Sequence, residues 1–179
     1  MNYMTKEELR RLLTVAYESN RHHHLALTVS LWHATRVSEM LAIEARDVQE
    51  DGFVRIRGLK GSHASLQPVR TDPDAILDCS GLLSLSQKAA SPETRLFPWC
   101  RQRMDQVIRG YGKQAGIDPI KTHMHALRHS LAMMLWDETN GSLGLVQRHL
   151  RHKSASSTLI YLYEADARKA SAAVAKISL

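Results

Sequence analysis

One change of hydrophobic period constrains this chain more than any other feature. Apolar residues recur at helical spacing from Leu9 to Ala34 and again from Met104 to Leu150, and the pattern turns strand-like only between Asp51 and Val69. In that interval Phe53, Ile56 and Leu59 sit among Arg55, Arg57 and Lys60, and Gly61-Ser62-His63 precedes Leu66-Gln-Pro-Val69, which reads as a hairpin with a polar, lysine-bearing turn. The expected fold class is therefore mainly α with a small antiparallel β-sheet or hairpin (α+β). Thr5 and Glu8 have capping-box spacing ahead of Leu9, Leu12, Leu13 and Ala16, which predicts a first helix over about residues 5–19. A buried helix over 22–34 and a short one over 36–44 follow. A further helix is expected near 75–85, between Pro73 and Pro92. Helices over about 101–115, 125–136 and 142–150 come next, with a polar break at 137–141, and helical character resumes from Ser154.

With 179 residues the chain is expected to form one domain, and 44% hydrophobic with 23% charged residues suffices to bury a core. The apolar stretch Leu25–Trp32 falls well short of the roughly 20 residues that span a bilayer. Residues 1–11 carry charges of both signs, unlike a signal peptide, so a cytoplasmic location is expected. Cys79 and Cys100 form no disulfide framework and lack metal-ligand spacing. Lysine and arginine exceed aspartate and glutamate by 24 − 18 = 6, with ten histidines besides, which points to a polyanionic partner.

Three stretches gather cations and proton-transfer groups: Arg36-Val-Ser-Glu39, His125-Ala-Leu-Arg128-His129, and His152 with Tyr161 nine residues later. Each has an ordinary reading, as a surface ion pair or a solvated helix face. His22-His23-His24 looks like a metal tract, but consecutive helical residues diverge and cannot meet one ion, so a solvated or DNA-facing cluster is expected. His125 and His129 have the spacing of zinc-binding histidines, yet no glutamate lies between them and Arg128 does. Trp32, Met133, Met134 and Leu135 read as core.

Taken together, the stretches match one pattern. Ala34-Thr-Arg36-Val-Ser-Glu39-Met-Leu-Ala-Ile43 resembles the first arginine box of the tyrosine recombinases, the phage-integrase family, and His125-Ala-Leu-Arg128-His129 resembles the second. Leu150-Arg-His152-Lys-Ser followed by Thr158-Leu-Ile-Tyr161 is similar to the third block, and Lys60-Gly61 stands where the family carries a lysine on its hairpin. The resemblance runs from about Met4 to Tyr163. Two departures stand out. His33-Ala34-Thr35 replaces the usual Thr-Gly-Leu, and Arg151 replaces the usual glycine of Leu-Gly-His.

The resemblance implies the tyrosine recombinase catalytic-domain fold over 1–179, with 164–179 as a tail that packs on its own body or docks on a neighbour. The family's N-terminal core-binding clamp is expected to be absent. It also implies a site-specific recombinase or integrase that acts without cofactor, metal or ATP. Arg36 and Arg128 would hold the phosphate oxygens as forked cations. Tyr161 would attack to form a 3′-phosphotyrosyl bond, Lys60 would protonate the leaving oxygen, and His125 would take or share the tyrosine proton. His152 would add a phosphate hydrogen bond, and Glu39 would orient the basic groups. Tyr163 is the alternative nucleophile and His123 the alternative to His125. Implied partners are double-stranded DNA and, on DNA, three further copies in a tetramer, with a monomer in isolation and no membrane. A catalytically weak DNA-binding relative and a type IB topoisomerase-like enzyme are the competing readings. The expected setting is a bacterium, a phage or a mobile element.

Overall fold

The computed structural model describes residues 2–59, 62–156 and 158–159. In it α1 (Lys6–Ser19) and α2 (Arg21–Trp32) are separated by Asn20 alone. Asn20 ends the first helix by donating its N–H to the Ala16 carbonyl, and its side chain starts the second by accepting from the N–H groups of His22 and His23 at 3.0 and 2.9 Å. The capping box forms as read: the Glu8 N–H donates to Thr5 Oγ1, and the Thr5 N–H donates to the Glu8 carboxylate. After α3 (Val37–Leu41) come β1 (Phe53–Ile56) and β2 (Ser65–Pro68), then α4 (Gly81–Gln87), α5 (Arg101–Gln114), α6 (Met124–Glu138) and α7 (Leu143–Leu150). The strands pair antiparallel, from Phe53 opposite Pro68 to Ile56 opposite Ser65.

Helix α2 is buried from His23 to Leu31, and α6 is buried over much of its circumference. A helix without a polar face must be enclosed, and α2 lies between α1 and α6 at the centre of the core. α1 and α5 turn one apolar stripe inward: Leu9, Leu12, Leu13 and Ala16 in the first, Met104, Val107, Ile108 and Tyr111 in the second. Among the described residues no helix is long and apolar enough to cross a membrane.

Several expectations need correction. The helix expected over 75–85 starts only at Gly81, because Asp72 and Asp74 accept from the N–H groups of Asp74 and Ile76 and so hold a turn where the sequence suggests helix. The third helix ends at Leu41 and gives way to a 3₁₀ turn at Ala45–Asp47. α6 continues through Asp137 and Glu138, into the expected polar break. The histidine tract is not a solvated cluster: His23 and His24 are buried and His22 is half-buried. His22 donates through Nε2 to the Leu96 carbonyl at 2.7 Å and lies against Trp99. His23 shares a 2.8 Å hydrogen bond with the Tyr111 hydroxyl, and His24 donates to the Ile76 carbonyl at 2.8 Å. Each ring leaves the helix in a different direction and finds a tertiary partner, which makes all three structural.

The hairpin is anchored at both ends. At its base Arg57 donates to Glu44 at 2.7 Å and to Asp47 at 3.0 Å, tying the end of β1 to the 3₁₀ turn. Beyond its turn the His63 N–H donates to the Arg151 carbonyl at 3.1 Å, and Ser62 bridges to His152. The backbone of Gly58 passes so near the returning chain that a Cβ there would lie 2.4 Å from the Ser62 carbonyl oxygen and 2.6 Å from the His63 carbonyl carbon. Both obstacles are backbone and cannot step aside. Gly58→Ala is accordingly expected to lower stability by about 2 kcal/mol and to loosen the returning chain at Ser62–Ala64. Urea unfolding and amide exchange measure both, and unchanged stability with unchanged protection would contradict this packing.

Candidate active site

The segment ahead of α3 is bent by an unusual backbone. Ala34 has φ +46°, in the left-handed region that costs an L-residue roughly 1–2 kcal/mol. The bend places Arg36 at the start of α3, where the Glu39 carboxylate accepts from the Arg36 N–H at 2.9 Å and from its guanidinium at 3.0 Å. Glu39 is 1% exposed, and it also accepts from the Ser62 hydroxyl at 2.6 Å and the Arg151 guanidinium at 3.0 Å. A buried carboxylate is tolerated only when donors surround it. Here they come from the start of α3, the hairpin and the end of α7.

The second arginine reaches the same bend from far along the chain. Arg128, in the buried face of α6, donates through its terminal nitrogens to the carbonyls of Ala34, 94 residues away, and Leu150. Its guanidinium therefore joins the turn before α3 to the last residue of α7. Arg151, at the αL cap of α7 with φ +58°, donates to the carbonyls of His33 at 2.7 Å and Ala34 at 3.0 Å. Both family glycines are thus replaced by L-residues that keep the left-handed backbone. His152, held by its N–H on the Gln147 carbonyl, shares a 2.9 Å hydrogen bond with the Thr158 hydroxyl.

Burial and neighbouring charge together set the protonation of the histidines. His152 is 5% exposed; burial first, then the nearby Arg128 and Arg36, push its pKa down to about 4. His125 is lowered to about 4 by desolvation, Arg128, His123 and Arg36 in that order. The residue is exposed at the start of α6, and with its pKa lowered the imidazole is neutral at pH 7. Burial would raise the Glu39 carboxyl, but the Ser62 hydroxyl, the Arg36 N–H and Arg151 outweigh it and hold the group below its ordinary value.

Two clefts open beside this cluster. One of about 970 Å³ is lined by Ser38, Arg95, Arg101, His123 and His125 among others. One of about 540 Å³ is lined by His63, Gln147, Arg148, His152 and Lys153. Among the described residues no group of histidine, cysteine and carboxylate side chains could hold a metal ion. A polyanion lying across both clefts would meet Arg95 and Arg101 in the first and Arg148 and Lys153 in the second.

The family model described as "Phage integrase family" matches residues 2–168. The chain belongs to the phage integrase family. As a member of that family it is similar to "Tyrosine recombinase XerA" of Thermococcus kodakarensis, with 29% identity over 167 residues that cover 88% of this chain and 56% of that protein. The crystal structure of XerA recombinase superposes with a TM-score of 0.72 at 23% identity, covering 89% of this chain and 57% of the other. XerH recombinase, in a post-cleavage complex with its palindromic difH substrate, superposes with a TM-score of 0.72 at 20% identity, covering 96% and 52%. These likenesses establish the tyrosine recombinase catalytic-domain fold. The chain spans about half the length of the curated relatives it matches.

Of the site residues expected of a phage integrase, Arg36, Glu39, Arg128, His125 and His152 come together around the Ala34 bend. Lys60, Tyr161, Tyr163 and the tail at 164–179 lie outside the described residues. Sequence reasoning passed over Ser62 and Thr158, which hold Glu39 and His152, and took Arg151 only as a lost glycine. The available signal was a basic residue at a helix-ending position in a chain that also carries an acidic first box.

His33, 2% exposed with its pKa lowered to about 4, and His152 are both buried neutral. A histidine with a depressed folded pKa supports stability fully above its unfolded value near 6.5, and that support is lost as pH falls toward the folded value. Acidification from pH 7 to pH 4 is expected to remove on the order of 2 kcal/mol per ring, read as a falling Tm, whereas a Tm flat across that range would contradict the burial of these imidazoles.

Proposed function

We propose that this chain cleaves and rejoins DNA one strand at a time, as a site-specific recombinase acting through a 3′-phosphotyrosyl intermediate. The observation that carries the reading is the meeting of Arg36, Arg128, His125 and His152 around one bend, between two open clefts of basic lining. A phosphodiester transition state needs charge stabilisation, an in-line nucleophile and a proton for the leaving oxygen. Arg36, 30% exposed in its side chain, presents its guanidinium to the non-bridging oxygens while Glu39 fixes its direction. Arg128 has five N–H donors, of which the carbonyls of Ala34 and Leu150 engage its terminal nitrogens, and it contributes positive charge from beneath.

In the proposed step the Tyr161 oxygen attacks phosphorus and loses its proton to His125, which is neutral and able to accept. The bond from phosphorus to the 5′ oxygen breaks, and that oxygen takes a proton from Lys60. Reversal by a 5′ hydroxyl from another strand rejoins the DNA without external energy, because the phosphotyrosyl bond keeps the energy of the phosphodiester. His152, held through the Thr158 hydroxyl, adds a hydrogen bond to the phosphate. Exchange between duplexes requires two sites cut together, so the assembly proposed is a tetramer on double-stranded DNA built from monomers.

A pool of nicked duplexes with randomised sequence traps the intermediate, since the short strand beyond the nick diffuses away after cleavage. Wild type is expected to form a covalent protein–DNA adduct in the presence of EDTA, Tyr163→Phe to retain it, and Tyr161→Phe and Arg36→Ala to reduce it by at least about a hundredfold. An adduct persisting in Tyr161→Phe would remove the nucleophile assignment. Tight binding of the pool without any wild-type adduct would support a binding protein instead.

A further inference from the structure

We propose that Arg151 is a positioning residue for this reaction: from the cap of α7 its guanidinium fixes Glu39 and the His33–Ala34 bend, and through them the side chain of Arg36. The inference rests on the strand-transfer reading above and assigns a role to a residue that stands where the family pattern has glycine.

The backbone at this position argues against arginine. With φ +58° the cap lies in the region that glycine enters freely and an L-residue resists. The cap itself needs no side chain, because it is made by the Arg151 N–H on the Arg148 carbonyl and the His152 N–H on the Gln147 carbonyl, each at 3.1 Å. What the side chain adds lies elsewhere. It is buried, and its donors go to the His33 carbonyl, the Ala34 carbonyl and the Glu39 carboxylate, with one longer contact of 3.4 Å to the His149 carbonyl of its own helix. These are the bend that presents Arg36 and the group that orients it. Ala34 is strained in the same sense, and the guanidinium on its carbonyl holds it there, so the two glycine replacements support each other. The planar fork matters as well as the charge, since one nitrogen serves His33 while the other serves both Ala34 and Glu39. Arg151 also carries the carbonyl that receives the His63 N–H, so the same residue links the bend, the carboxylate and the hairpin.

Substitution by glycine separates the cap from the side chain, because it suits the backbone while removing the whole buried side chain with its guanidinium, and Arg151→Met keeps most of the stem without the charge. Three measurements on the full chain suffice: the single-turnover rate of covalent adduct formation on the randomised nicked pool, the Kd for an intact duplex, and the pH profile of the rate. For Arg151→Gly the rate is expected to fall about thirtyfold while Kd moves less than about threefold, since the bend would no longer hold Arg36 in its productive direction. The acid limb of the profile should move to higher pH, because Glu39 then keeps only Arg36 and the Ser62 hydroxyl to stabilise its charge. Arg151→Lys, which keeps the charge without the fork, should recover part of the rate. If the glycine variant does not fold, Arg151→Lys is compared with Arg151→Met and should be faster by about tenfold. An Arg151→Gly chain with the wild-type rate and profile, or lysine and methionine variants of equal rate, would overturn the assignment. Absence of any adduct from wild type would remove the strand-transfer reading along with it, whereas a normal wild type beside an unaffected glycine variant removes the positioning role alone.

Discussion

A carboxylate shut away from water must be met by enough donors to replace its hydration, and Glu39 is met from three directions. The Arg36 N–H and guanidinium, the Ser62 hydroxyl and the Arg151 guanidinium all converge on it. These donors belong to the start of α3, the far side of the hairpin and the cap of α7. Helix packing and the backbone bonds between the hairpin and the end of α7 bring these segments near one another, and the carboxylate joins them at one point. The ion cluster adds to the Arg128 link and the hairpin's backbone bonds in fixing their mutual geometry, and removing one partner would leave a buried charge to find another.

The chemistry follows from where that cluster leaves its charge. Around the Ala34 bend the described groups are mainly cationic or neutral donors, with Glu39 buried beneath them. Burial, with the nearby cations second, keeps His125 and His152 unprotonated, so the site holds its arginines charged and its imidazoles ready to accept or share a proton. An arriving phosphodiester supplies the negative charge this arrangement lacks. The net charge of +6 thus acquires a local meaning, because part of the excess is concentrated between the two open clefts.

What the sequence discloses is what local chemistry decides. The capping box at Thr5, the stripe of α5 and the period change at the hairpin were all legible, because each depends on residues a few positions apart. The start of α4 was not, since aspartate side chains in the preceding turn take the backbone donors a helix would have used. The histidine tract misled because its partners, Leu96, Tyr111 and Ile76, are distant in sequence. Within the site the boxes were readable as a resemblance, but their mutual support was not. That Ala34 and Arg151 both hold left-handed backbone, and that one guanidinium braces the other residue's carbonyl, is a tertiary fact with no local signature.

The central claim is that Glu39 is a buried, ionised pivot, and the titration of its carboxyl carbon observed by NMR tests it most directly. Glu39 is expected to stay ionised below the ordinary glutamate value of 4.5, held there against its own burial by Ser62, Arg36 and Arg151. A carboxyl that takes up its proton above 4.5 would mean that desolvation outweighs the donors, and Glu39 would not be the ionised pivot of these segments.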